Sequence, residues 1–245
     1  MNPRILTALP VYNEAAHIQP VLTEVRKYSQ DILVVDDGST DGTLDCLADL
    51  SATRVVRHPK NRGYGAALAS AFDFAIEHAF DVLVTIDCDG QHEPRLIPEL
   101  SREIAPDDSE MLDLVSGSRY LKTLGQNTRP PADRRRINSR ITQLLNDRLK
   151  WNLTDAFCGF KAYRVDSLRK LQITEPGYAM PLQLWVQAKK LDWRIVEFPV
   201  PLVYLDESRS FGGSLDDADH RMAYYHEVFE RAWEANHVRC GGEQP

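Results

Sequence analysis

Three short polar clusters carry the residue types that could do chemistry. They are Pro10-Val11-Tyr12-Asn13-Glu14, Asp36-Asp37-Gly38-Ser39 and Asp87-Cys88-Asp89-Gly90-Gln91-His92, and each follows an apolar run. Together they hold five carboxylates: Glu14, Asp36, Asp37, Asp87 and Asp89. Carboxylates gathered in one cleft repel each other and raise each other's pKa unless a cation or hydrogen-bond donors share the site. A divalent metal is the economical explanation, and Asp87-x-Asp89-x-Gln91 is its best candidate. In extended chain, residues two apart face the same way, so several oxygens can converge. Oxygen donors suit Mg²⁺ or Mn²⁺, and magnesium sites take one or two carboxylates together with substrate phosphates. A lone Asp-x-Asp is also ordinary turn chemistry at a strand end; three acidic clusters at three strand ends are not explained that way.

The second cluster runs on as Thr40-Asp41-Gly42. A strand-to-helix turn capped by Asp41 accounts for Asp41 and the glycines, but not for two adjacent acids directly after an apolar strand. Acids at that place accept hydrogen bonds from a ribose hydroxyl or a base N–H. Gly63-Tyr64-Gly65 reads either as half of a phosphate-binding fingerprint or as punctuation opening a helix. His92 reads as a supporting or capping residue rather than a metal ligand, Cys158 as a small packing residue, and Trp185 and Trp193 as core.

The elements that must position these groups follow from periodicity. Strands are predicted at residues 4–9, 31–35, 53–57, 81–86 and 112–116. Helices are predicted at 14–28, 43–50, 64–79 and 94–104. Strand and helix alternating through short connections imply right-handed crossovers and an α/β fold, with a mainly parallel central sheet and helices on both faces. In such sheets ligands bind outside the carboxyl ends of the strands, where all three clusters fall. The second half is less regular: a polar loop at 121–133, helices at 134–151 and 178–191, strands at 160–164 and 193–198, a Gly/Ser-rich loop at 205–214, and a closing helix at 216–236. No linker or internal repeat divides the chain, so residues 1–236 read as a single domain and 237–245 as a disordered tail.

Composition narrows the class. Apolar residues make up 43% and charged residues 27%, a globular balance. With 29 Lys and Arg against 36 Asp and Glu, the net charge is −7, which argues against nucleic acid as a partner. No apolar stretch approaches the roughly 20 residues of a spanning helix, and nothing at the start reads as a signal peptide. Cys46, Cys88, Cys158 and Cys240 form no CxxC pair and read as reduced thiols. These features predict a cytoplasmic protein.

The motifs, in order, carry a resemblance. Residues 10–14, Val35-Asp36-Asp37-Gly38-Ser39-Thr40-Asp41-Gly42-Thr43, Asn61-Arg62-Gly63-Tyr64-Gly65-Ala66-Ala67, residues 87–92 and Gly117-Ser118-Arg119-Tyr120 resemble glycosyltransferase family 2. The Asp-x-Asp-x-Gln-His-x-Pro form, with Cys158-Gly159-Phe160-Lys161-Ala162-Tyr163-Arg164, is most similar to the dolichyl-phosphate (polyprenyl-phosphate) mannosyl- and glucosyltransferase branch. The resemblance spans residues 5–213. It implies a nucleotide-diphospho-sugar transferase (GT-A) fold and inverting transfer of one hexose, mannose favoured, from GDP-mannose or UDP-glucose to a polyprenyl phosphate. Under it, Pro10, Tyr12, Glu14 and Asp37 line the nucleobase and ribose pocket, Asp87 faces the nucleotide, and Asp89 and Gln91 hold Mg²⁺ or Mn²⁺. Asp89, Gln91 and Arg119 form the catalytic set, and Arg119 meets the acceptor phosphate together with Arg134, Ser139 and Arg209.

The implied mechanism is physically economical. A lipid phosphate, with a second pKa near ~6 as for phosphorylated side chains, is largely dianionic at pH 7 and needs no general base. It needs positive charge, which arginine's planar fork supplies. Arg134-Arg135-Arg136 with Arg140 opens an amphipathic stretch that reads either as a face resting on an anionic membrane or as a solvated helix face over the core. That allows peripheral contact with the inner face of the membrane. Two departures concern the acceptor. Relatives carry an acidic residue in the helix where this chain has 177–183, and a final basic residue where this chain has Leu215. An alternative is a family 2 transferase acting on a saccharide or other non-lipid acceptor, whose hydroxyl requires a carboxylate base, with Asp155 the candidate. Another is a noncatalytic nucleotide-sugar-binding module.

Overall fold

The structure is a computed structural model that describes residues 3–47, 53–104, 112–124, 128, 130–204 and 213–240, with the side chains of the last helix described to residue 236. In chain order its elements are β1 (Ile5–Val11), α1 (Ile18–Val25), β2 (Asp31–Asp36), α2 (Thr43–Leu47), β3 (Thr53–Arg57), α3 (Tyr64–Glu77), β4 (Val82–Thr85), α4 (Ile97–Ile104), β5 (Leu114–Ser118), α5 (Ala132–Leu149), β6 (Lys161–Arg164), α6 (Val165–Leu168), α7 (Met180–Lys190), β7 (Ile195–Pro199) and α8 (Ala218–Cys240).

The strands form one seven-stranded sheet in the order β3-β2-β1-β4-β6-β5-β7. Every pairing is parallel except those of β6, which runs antiparallel to both β4 and β5. Strand side chains alternate between two cores, as a period of two requires. In β2, Leu33 and Val35 face the core under α3, α5, α7 and α8, while Ile32 and Val34 face the core under α1 and α4. The sheet is therefore mainly parallel and covered on both faces, as its patterning predicts.

Departures from the predicted boundaries have local causes. The first helix begins at Ile18 rather than residue 14, because residues 13–15 are tied to the chain after β2. Asn13 sits at φ +55°, where short polar side chains are tolerated. Its N–H donates to Ser39 Oγ (2.9 Å) and its Oδ1 accepts the Thr40 N–H (2.9 Å), while the Glu14 N–H donates to Thr43 Oγ1 (2.9 Å). The fifth strand sits two residues later than predicted, at Leu114–Ser118. The closing helix continues to Cys240, four residues into the expected tail.

Candidate active site

The cleft that these elements build lies beyond the carboxyl ends of β1, β2, β4 and β5, with a volume of about 410 Å³. It brings together Pro10, Tyr12, Glu14, Asp37, Asp87, Asp89, Gln91, Arg119 and Arg134. Of the five carboxylates read from the sequence, four line it. Asp36 does not: it is fully buried, its Oδ1 accepts the Ser39 N–H (3.0 Å), and its Oδ2 lies 3.4 Å from Arg57. That acid serves the turn.

Asp37 has more work within its own chain than the sequence suggests. Its Oδ1 accepts the Arg62 N–H (2.9 Å) and faces His58 Nδ1, and its Oδ2 accepts the Gly63 N–H (2.7 Å). His58 in turn meets Ser70 through Nε2 at 2.9 Å. Asp37 thus ties the end of β2 to the entry of α3 while lining the cleft. Gly63 opens α3 at its N-cap and lines the cleft, and close packing restricts both glycines at that entry. A Cβ on Gly65 would strike the Glu175 carbonyl and come within 2.7 Å of Met180 Cβ, and one on Gly63 would strike the Pro176 carbonyl. Gly63, at φ +104°, also needs a conformation that side chains disfavour. The Ala66 N–H donates to the Pro176 carbonyl (3.1 Å), so residues 175–177 lie directly on the start of α3.

The turn after β4 holds the acidic centre. Asp87 Oδ1 accepts the Tyr64 hydroxyl (2.9 Å), and His92 Nε2 lies 3.4 Å from Asp87 Oδ2. The Asp89 carboxylate accepts the Gln91 N–H (3.0 Å), which curls the segment so that Asp89 and Gln91 both line the cleft. Among the described residues no group of three or more His, Cys, Asp and Glu could hold a metal by itself. The donor set that is present, two carboxylates and an amide, is all oxygen at the ligating atoms. It fits Mg²⁺ or Mn²⁺ completed by ligand oxygens better than a metal caged wholly by protein.

Arg119, which also lines the cleft, is committed. Its Nε and Nη2 donate to Asp155 Oδ2 (2.7 Å) and Oδ1 (2.9 Å), and Asn138 Nδ2 donates to Asp155 Oδ1 (2.8 Å). Burial alone would push the Asp155 carboxyl up, but the guanidinium and these hydrogen bonds outweigh it and hold the pKa down at about 2. Asp155 has no exposed surface and is an anchor for Arg119, not the free carboxylate base that a saccharide hydroxyl requires. Burial pushes the Cys158 thiol up to about 11, the behaviour of a packing residue. Lys161 is buried too; its Nζ donates to Ser116 Oγ (2.7 Å) and to the Cys158 carbonyl, fixing the approach to β6.

Ser139 is not brought to the cleft. It is exposed on α5, and its neighbour Asn138 faces inward instead. Arg209 lies outside the described residues. Among the lining residues that were not read as site residues are Tyr64, Tyr178 and Arg221. Tyr64 and Tyr178 stack with centroids 5.7 Å apart. Arg221 is almost fully buried; it donates to Asp133 Oδ2 (2.6 Å) and to the Leu215 carbonyl (2.6 Å). Its signal was available as the helical stripe Arg221, Tyr225, Val228, Ala232 in α8.

A mainly parallel sheet with an acidic cleft at its carboxyl edge defines an α/β protein of GT-A architecture. Residues 7–172 match glycosyl transferase family 2, and the chain belongs to that family. Among curated proteins it is 34% identical over 226 residues, covering 88% of this chain and 90% of the relative, to the undecaprenyl-phosphate mannosyltransferase of Micrococcus luteus. It is 31% identical to the polyprenol monophosphomannose synthase of Mycolicibacterium smegmatis, covering 90% of this chain and 86% of that one. Among solved structures, glucosyl-3-phosphoglycerate synthase of Mycobacterium tuberculosis, in complex with Mn²⁺, UDP and glucosyl-3-phosphoglycerate, superposes with a TM-score of 0.71. That match has 20% identity and covers 96% of this chain and 80% of that one. Mannosyl-3-phosphoglycerate synthase of Rubrobacter xylanophilus superposes at 0.68 with 16% identity, covering 99% and 77%.

Proposed function

We propose that the protein is an inverting, metal-dependent hexosyltransferase that moves a hexose, mannose favoured, from a nucleotide-diphospho-sugar to a polyprenyl phosphate at the inner face of the membrane. The observation that carries this reading is that a single cleft is lined both by the acids Asp87 and Asp89 and by the cations Arg119, Arg134 and Arg221. The mannosyltransferase names of the two curated relatives, both with polyprenyl-type acceptors, support the same assignment.

Each residue has a task under this reading. Pro10, Tyr12, Glu14 and Asp37 line the nucleoside end. Asp89 and Gln91 hold Mg²⁺ or Mn²⁺ beside Asp87; when bound, the ion supplies Lewis-acid neutralisation of charge on the departing nucleoside diphosphate. Arg134 and Arg119 orient the acceptor phosphate, and Asp155 holds the planar Arg119 fork in place. A phosphate dianion attacks without losing a proton, so a cleft whose second-half carboxylate is locked in an ion pair suits it better than a sugar hydroxyl.

The test is a transfer assay with labelled GDP-mannose or UDP-glucose, a short polyprenyl phosphate and Mn²⁺ or Mg²⁺. Label should reach the organic phase, GDP-mannose being the better donor, and a chelator should stop it. Asp89→Ala should lower turnover on the order of 100-fold or more, as loss of several kcal/mol of charge stabilisation requires. Transfer from neither donor, or full activity in Asp89→Ala, would sink the proposal.

A further inference from the structure

The two sides of α5 meet different surroundings. Ile137, Ile141, Leu145 and Leu149 are buried in the core beneath it. Arg135, Arg136 and Arg140 stand exposed on the other side, and none of the three is paired with a carboxylate among the described residues. The helix carries five arginines against two aspartates, in a chain whose net charge is −7. Of those aspartates, Asp133 is taken by Arg221, and Asp147 accepts the Gln143 amide (2.8 Å). The result is a local cationic face on an acidic protein. Cations in the first turn oppose the helix dipole, so helix stability does not account for three consecutive arginines there.

This face borders the cleft. The same helix lines the cleft with Arg134, Ile137 and Asn138, and the Arg135 guanidinium lies 3.6 Å from the centre of the Tyr120 ring, itself a lining residue. Leu121, next in sequence, is exposed. Among the described residues no helix is long and apolar enough to cross a membrane. A polyprenyl chain stays in hydrocarbon while its phosphate sits at the interface, so a cleft receiving that phosphate must be presented to headgroups from outside. We propose that the Arg135, Arg136 and Arg140 face of α5 is the surface that docks on an anionic bilayer and turns the cleft toward it. The inference rests on the lipid-acceptor reading above and adds the orientation.

The experiment is sedimentation of the full chain with vesicles of phosphatidylcholine alone or mixed with phosphatidylglycerol, across a salt series. Binding should require the anionic lipid and fade as salt rises. The triple variant Arg135→Gln, Arg136→Gln, Arg140→Gln should bind on the order of 100-fold more weakly, the attraction lost when three basic residues leave an anionic surface. The variant Arg26→Gln, Lys27→Gln, altered just beyond α1 on the opposite face of the sheet, should bind much as the unaltered chain does. Equal binding to neutral vesicles, no binding to either, or undiminished binding by the triple variant would each overturn the inference. Should the triple variant fail to fold, the lipid and salt dependence of the unaltered chain still decides it. Transfer to detergent-dispersed polyprenyl phosphate, run in parallel, separates the two ideas. Transfer without vesicle binding refutes the docking face alone; vesicle binding without transfer refutes the acceptor assignment and leaves the face standing.

Discussion

Gly159 decides where Asp87 can be. A Cβ there would come within 2.6 Å of Asp87 Oδ1 and 2.7 Å of its Cγ, so any side chain displaces the carboxylate. Gly159→Ala should therefore lower transfer on the order of 100-fold through misplacement of Asp87, with a stability loss of about 1–3 kcal/mol from overpacking. Transfer kinetics beside thermal melts check this; unchanged turnover would remove Asp87 from the site. The acidic centre was legible in the sequence because Asp87, Asp89 and Gln91 fall within five consecutive residues, so residue type and spacing already state their chemistry. The Arg119–Asp155 pair was not, since two residues far apart along the chain carry no sign of contact. Ser139, assigned to the acceptor through the resemblance, lies on the outer side of its helix. Asn138, Thr142, Leu145 and Leu149 recur at steps of four, three and four and are all buried, which puts Ser139 outside.

The start of α3 and residues 175–178 hold each other at the level of whole elements. Glu175 is buried; its Oε1 accepts the Gly177 N–H (3.0 Å) and the Tyr224 hydroxyl, and Arg231 donates to its Oε2 (2.6 Å). Helix α8 thus pins the segment that carries Tyr178 onto Tyr64. Gly65→Ala would lift that segment, and should cost about 1–3 kcal/mol of stability by overpacking while weakening donor binding. Urea midpoints and nucleotide titration measure the two effects; a wild-type midpoint would show that the contact is not tight. The parallel β/α part of the sheet was readable because each strand and helix announces itself by period. The reversal of β6 was not, because a four-residue strand reads the same in either direction and only its partners fix its sense.

Across the whole molecule, acid stability should report the Asp155–Arg119 pair. The folded pKa of about 2 lies below the ordinary aspartate value of about 3.9. The pair therefore adds stability that is fully present above about pH 4 and is lost as pH falls toward 2, worth about 2–3 kcal/mol. Urea midpoints between pH 5 and 2 should fall accordingly. Asp155→Asn should flatten that contribution and cost about 2–3 kcal/mol at neutral pH by leaving a half-buried guanidinium without its counter-charge. A variant as stable as the parent would mean that Arg119 is not held this way.

The interposition of β6 between β4 and β5 sets an order on assembly. Strands β1 to β4 can pair among themselves once β4 has been synthesised, with only the β6 side of β4 left open, whereas β5 pairs only with β6 and β7, both of which leave the ribosome after it. The arginine borne just beyond β5 consequently waits, with its strand, for the later chain. A nascent polypeptide halted between the two halves would own the acidic wall of the pocket and lack the fixed cationic one.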